Sequence, residues 1–197
     1  VIGPLVDSDV VLPRLSVVTT TWGEWRGRHP ESLVLSENTG HVRDYREGSA
    51  YRDYFATDQL MFQVPGLDTR LRNKAEVLGL VFPRYPDQPL AIAADYLAQH
   101  TLYQDQVGEL RFVVVTDTSG ANRVYEAGDR RFIAWDGAAT LRDEDGNVWQ
   151  LTEAQLRRED GQVLHRLPAH RAFWFGWYSA YSHTRLVHLG EGATPDR

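Results

Sequence analysis

Two stretches of the chain are apolar almost without interruption, Val77 to Phe82 (VLGLVF) and Leu110 to Thr116 (LRFVVVT), and each predicts a strand, the second the most buried. Between them the spacing changes. Tyr85-Pro86-Asp87-Gln88-Pro89 predicts a turn, and Leu90 to His100 a helix with Ile92, Ala93, Tyr96 and Leu97 facing inward. After Leu110 to Thr116 the pattern becomes one of short apolar runs separated by glycine turns. These predict strands over Asn122 to Ala127 and Arg131 to Trp135, then two further hairpins punctuated by Gly137 and Asp145-Gly146. Near the end, Trp174, Trp177, Tyr178 and Tyr181 fall at i, i+3, i+4 and i+7, so a helix would gather four large rings on one face, with Pro168 at an early helical position. The plain reading of that face is an aromatic core stripe. The sharper reading is a stacking platform for a base or sugar.

The N-terminal part follows a related pattern. Gly3-Pro4 and Asp7-Ser8-Asp9 break residues 1–20 into one or two short strands. Thr21 with Glu24 three residues on has capping-box spacing, which predicts a short helix over Trp22 to Arg28 stopped by Pro30, followed by a strand at Leu33-Val34-Leu35. Leu12 to Leu35 also aligns without a gap on Leu164 to Val187. Leu12, Arg14, Leu15, Trp22 and Trp25 match Leu164, Arg166, Leu167, Trp174 and Trp177, every pair 152 positions apart. A fixed offset that long implies tandem copies of a domain-sized unit. The expected organisation is the tail of an incomplete upstream repeat at 1–40, a polar and aromatic loop region and linker at 41–66, a complete repeat at 67–189 and a disordered tail at 190–197. The expected fold class is α+β: a β-rich unit of mostly antiparallel strands with one mid-chain helix and a C-terminal aromatic helix. The upstream half of that architecture is then the natural partner of this chain.

Composition narrows the function classes. Formal net charge is −6, with no run of lysine or arginine, which argues against a nucleic-acid groove or an anionic membrane surface. There is no cysteine, so disulfides, thiolate metal sites and cysteine nucleophiles are excluded within this chain. No apolar run is long enough to span a membrane.

The stretch that invites a ligand is residues 36–58, polar, glycine-containing and carrying Arg-Asp-Tyr twice, at Arg43, Asp44, Tyr45 and at Arg52, Asp53, Tyr54. Long loops of this kind are often functional. Planar guanidinium forks and phenolic donors suit a small anionic or sugar-like ligand, whereas the plain reading pairs Arg43 and Arg52 with Asp44 and Asp53. Lys74, the lone lysine, would be a nucleophile or base if its pKa were depressed and a solvated cation otherwise. The histidine pairs His165/His170 and His183/His188 are five apart, a spacing that places neither pair on one face, so no metal site is expected from them. Asp143-Glu144-Asp145 and Glu159-Asp160 each precede a glycine and read as turns. No cofactor fingerprint is present.

TTTWGEWRGRHPESLVLSENTGHVRDY at Thr19 to Tyr45, DTRLRNKAEVLGL at Asp68 to Leu80 and LPAHRAFWFGW at Leu167 to Trp177 resemble the domain-of-unknown-function 3179 family of bacteria and archaea. The resemblance spans nearly the whole chain. It implies a longer protein, often with an export signal and hence extracytoplasmic, whose upstream half carries a Tyr-Cys-x-x-Cys-Gly motif after a buried strand. In this chain the places of the two cysteines are taken, approximately, by Asp117 and Ser119. Two functions follow. One is a non-catalytic exported binding or scaffold module presenting the 36–58 loop. The other is the supporting half of a metal- or thiol-dependent enzyme, with Arg43, Tyr45, Arg52 and Lys74 orienting a substrate.

Overall fold

A computed structural model describes residues 14–190; of the one or two short strands expected over residues 1–20, the part at 1–13 lies outside it, as do residues 191–197 of the expected tail, while residues 14–20 form no strand. The fold is α+β and β-rich, with mostly antiparallel strands in three sheets stacked in order. Strands β1 (Glu76–Phe82) and β2 (Tyr85–Ala93) form a tight hairpin across Pro83-Arg84 and are followed by α3 (Ala94–Gln99). Strands β3 (Leu102–Val107), β4 (Leu110–Thr116) and β5 (Asn122–Glu126) make the central sheet. Five short strands, β6 (Phe132–Trp135), β7 (Thr140–Asp143), β8 (Val148–Leu151), β9 (Gln155–Arg158) and β10 (Val163–His165), form a meander. The chain then returns to the first hairpin: β11 (His170–Phe173) pairs antiparallel with β1, α4 (Trp174–Ala180) crosses over, and β12 (Arg185–Val187) pairs parallel with β2.

The alternation of side chains explains the unbroken apolar runs. On β4, Phe112 and Val114 enter the core shared with Leu78, Leu80, Leu90 and Ile92, while Val113 and Val115 enter the core shared with Tyr125, Leu141, Trp149 and Leu156. The central sheet is therefore covered on both faces, and a period of two places apolar residues at every position. On β1, Leu78, Leu80 and Phe82 face the first of those cores, while Val77 and Val81 face Trp174, Trp177 and Leu186 beneath α4. Each large side chain so buried contributes about 1.5–3 kcal/mol. The C-terminal aromatic stripe is thus a core stripe: Trp174 and Trp177 are buried, with Tyr178 and Tyr181 packed at the edge.

Four expectations are corrected. Tyr85 to Pro89 is strand, not turn. The ladder runs Phe82↔Tyr85 and then Leu80↔Leu90, and this register shift sets Pro86, Asp87 and Gln88 outside the pairing, where a missing N–H costs nothing. Leu90 to Ala93 continues β2, so the helix begins at Ala94; Ile92 points inward from a strand. Pro168 precedes β11 rather than opening a helix. Leu33-Val34-Leu35 forms no strand and is exposed, because no neighbouring strand is within reach of it.

The N-terminal helix α1 (Trp22–Arg28) has its expected bounds, and the Thr21 hydroxyl accepts from the Glu24 N–H. From Arg14 to Glu76 no residue is buried. Fourteen of the eighteen large apolar and aromatic side chains left exposed among the described residues fall between Leu15 and Leu67. This arm is attached at a few points only. One is the Val17 N–H, which donates to the Ala169 carbonyl over 2.9 Å, just before the outer edge strand β11.

Candidate functional site

The residues singled out in the loop do not converge. Asp44 accepts from the Arg46 backbone N–H and from the Arg46 guanidinium at 2.8 Å, with Arg52 at 3.8 Å. The Arg46 guanidinium is the main cause holding the Asp44 carboxyl below its ordinary range. Tyr45 shares a hydrogen bond of 2.7 Å with Thr39 instead of joining that pair. Arg43 and Asp53 are exposed. Tyr54 and Lys74 form a separate group: the ammonium lies 3.5 Å from the Tyr54 ring centroid and donates to the carbonyls of Tyr54 and Thr57. Those carbonyls are at the end of the short helix α2 (Arg52–Phe55), so Lys74 acts as a helix-end clamp. Asp58 reinforces it by accepting from the N–H groups of Asn73 and Lys74. The loop is tethered, but its two Arg-Asp-Tyr triplets do not enclose a common site.

A different set of charges does converge, where α1 meets the β unit. Asp117 stands at the end of β4, Arg123 on β5, Glu153 in the turn between β8 and β9, and Arg166 just after β10. The loop after β4 folds back because the Asp117 carboxylate collects the Ser119 N–H (2.9 Å), the Ser119 hydroxyl (2.6 Å) and the Ala121 N–H (3.1 Å) on one oxygen. Its other oxygen accepts from Arg123 at 2.7 Å. The Arg123 side chain is 3% exposed and reaches Glu153 at 2.9 Å. Arg166 donates to Glu153 at 3.0 Å, to Ser16 at 3.0 Å and to Tyr125, over whose ring it lies. Arg28, from the last turn of α1, completes the cluster, reaching Glu153 at 3.0 Å and Asp117 at 3.5 Å while pairing with Glu24 inside its own helix.

Three guanidiniums therefore face three carboxylates, and the cluster is neutral. Burial works against the charged form of Asp117, but the hydrogen bonds from Ser119 and Arg123 outweigh it and hold the carboxyl below its ordinary range. Glu153 is held low in the same way by Arg123 and Arg166. Burial pushes the Tyr125 phenol up to about 12. Every shifted group has moved away from neutral pH, the reverse of what a general acid or base requires. Between this cluster and the helix lies a cleft of about 310 Å³, walled by Trp25, His29 and Val18 on the arm and by Arg123 and Glu153 on the β unit. Among the described residues no three of His, Cys, Asp and Glu lie close enough together to hold a metal ion.

Sequence reasoning named Asp117 and matched Arg166 but passed over Arg28, Arg123 and Glu153. One signal was available: Arg123 and Tyr125 alternate on one face of a short strand between two predicted turns, and an inward arginine needs buried counter-charges. What it pairs with, 30 residues away at Glu153, was not legible.

Residues 1–184 match a family described as a protein of unknown function (DUF3179). The chain belongs to the DUF3179 family. No curated protein and no solved structure matches it. In this DUF3179 chain the positions that the resemblance sets, approximately, against the family's cysteine pair are held by Asp117 and Ser119, and the Ser119 hydroxyl donates to the Asp117 carboxylate within the charge clasp formed by Arg28, Arg123, Arg166, Glu153 and Asp117. No helix among the described residues is long and apolar enough to cross a membrane.

Proposed function

We propose that this chain is a non-catalytic binding or scaffold module, exported as the family resemblance implies, whose arm over residues 14–66 is held against the β unit and offered to a partner. One observation carries the reading: the arm has no buried residue of its own, yet it carries most of the exposed apolar and aromatic side chains. An apolar surface of that extent marks a contact face. The cluster of Arg28, Arg123, Arg166, Glu24, Glu153 and Asp117 supports it, since a neutral, internally satisfied network fixes position without calling for a charged ligand. In this reading the partner is the upstream half of the same architecture, and a small sugar-like ligand in the cleft beside Trp25 is secondary.

The alternative, that the chain is the supporting half of a metal- or thiol-dependent enzyme, is favoured by the loop from Asp117 to Ala121. Two of its residues, Asp117 and Ser119, stand approximately at the places that correspond to the cysteine pair of the family's upstream half.

The test compares the chain with a Trp25→Asp, Leu35→Asp variant in capture from the exported fraction. The expected result is a stoichiometric partner held by the chain and lost by the variant. Equal capture by both, or turnover of ester, phosphoester or peptide substrates by the purified chain, would overturn the reading.

A further inference from the structure

Resting on that reading, we infer that residues Val18 to Leu35 are a clip for a β-hairpin, and that the partner surface is an antiparallel hairpin with both edges open and a glycine in its first strand. The inference comes from what the same local structure does elsewhere in this chain. Residues 170–187 form β11, α4 and β12, and together they straddle the β1–β2 hairpin. The strands take its two outer edges and the helix crosses its face.

Residues 18–35 repeat the helix of that structure, with its entry, exit and tryptophan contacts, at an offset of 152 positions, but without the two strands. Helices α1 and α4 are each seven residues long and are entered through Thr21 (φ −77, ψ 154) and Phe173 (φ −76, ψ 146). They leave through His29 (φ −132, ψ 67) and Tyr181 (φ −137, ψ 67). The Trp25 indole donates to Ser32 at 2.9 Å, as Trp177 does to Thr184 at 3.0 Å. Ring centroids of Trp25 and His29 are 4.1 Å apart and those of Trp177 and Tyr181 are 4.5 Å apart. The Ser32 N–H donates to the His29 carbonyl and the Thr184 N–H to the Tyr181 carbonyl, both at 3.0 Å.

What differs is the hairpin. Trp177 is buried against Gly79 on β1, where an added Cβ would lie 2.2 Å from the ring, and Thr184 passes a hydrogen bond to the Pro89 carbonyl on β2. Trp25 is 45% exposed, Leu33 and Leu35 are almost fully exposed, and no hairpin lies between them. Leu33-Val34-Leu35 stands at the offset of β12, which accounts for a strand-forming run with nothing to pair with. The clip's missing contacts define its occupant. It needs a first strand to pair antiparallel with residues 18–21, a glycine there to admit the Trp25 ring, and a second strand whose carbonyl accepts from Ser32. A second copy of this chain does not qualify, because its β1–β2 hairpin is already filled by its own β11, α4 and β12. The occupant is a separate unit of this architecture whose hairpin carries no clip of its own.

The test supplies such a hairpin from this chain. Residues 67–167 replace residues 1–15 directly ahead of Ser16, which keeps the offset and gives the added unit a hairpin but no clip. Hydrogen exchange is followed at Leu33 to Leu35. The expected result is amide protection in the tandem chain at least about a hundredfold above that in the chain alone, the scale of a strand entering a folded sheet. Gly79→Val in the added copy only should remove it. Unchanged exchange, an added unit that stays unfolded, or protection indifferent to Gly79→Val would each overturn the clip. If the clip fails while the arm variant still loses its captured partner, the proposed function stands and only the hairpin is wrong.

Discussion

The indole N–H of Trp25 donates to the hydroxyl of Ser32, and the two residues close the end of α1 although neither is buried. The same bond in the core, from Trp177 to Thr184, lies at 2% and 4% exposure. Equal geometry in unequal surroundings gives unequal energies. Thr184→Ala leaves a buried indole donor and the Pro89 carbonyl unpaired and should cost about 1–3 kcal/mol. Ser32→Ala, where water replaces the partner, should cost less than about 0.5 kcal/mol. Urea unfolding of the two variants measures the difference.

Gly79→Ala should destabilise by about 1–3 kcal/mol, the range for overpacking, because the new methyl meets the Trp177 ring rather than a flexible chain end. Combined with Trp177→Leu, the two losses should fall short of additive. Additive losses in the double variant would show that ring and glycine do not share one space.

Arg123→Ala should be the most damaging single change in the clasp, at about 3–5 kcal/mol, since it strands the buried Asp117 carboxylate. Arg28 is 38% exposed, so Arg28→Ala should cost no more than about 1 kcal/mol. Its effect should appear instead in acrylamide quenching of Trp25, which rises as the arm lifts from Glu153.

Acid should unfold the protein through its depressed carboxyls. In the folded state Asp117 and Glu153 lie below their ordinary values, and Asp136, held by three backbone N–H groups against the opposing effect of burial, falls to about 2. Their stabilisation is complete above the unfolded carboxyl values, near about 4, and is lost as pH falls through the lower folded values. The urea midpoint should therefore drop between about pH 4 and 2. Asp136→Asn should flatten that drop, at some cost in stability at neutral pH.

Much of the fold was legible where local chemistry decided it. Thr21 with Glu24 marked the start of α1 and Pro30 its stop, and the run at Leu110 to Thr116 announced the most buried strand. Leu90 to Ala93 was misread because four apolar residues fit a buried strand as well as a helix, and only pairing with β1 and β12 decides between them. Strand β3, LYQDQV, was missed because an edge position tolerates its glutamines and aspartate. The candidate site was less legible. Two copies of Arg-Asp-Tyr drew notice to the loop, yet proximity in sequence does not make Arg43 and Lys74 neighbours, whereas Arg123 and Glu153 meet only because a five-stranded meander brings the β8–β9 turn against β5.

The return of the chain to its first hairpin fixes an order of events during synthesis. Glu76 leaves the ribosome long before its partner Phe173, so the β1–β2 edges stay unpaired until nearly all of the described residues have been made. Pairings of such long range slow folding, and open apolar edges in the interim favour association with other nascent chains. Rare codons or a pause ahead of Ala169 would lengthen that exposure, whereas the same pause after Val187 would find the sheet already closed.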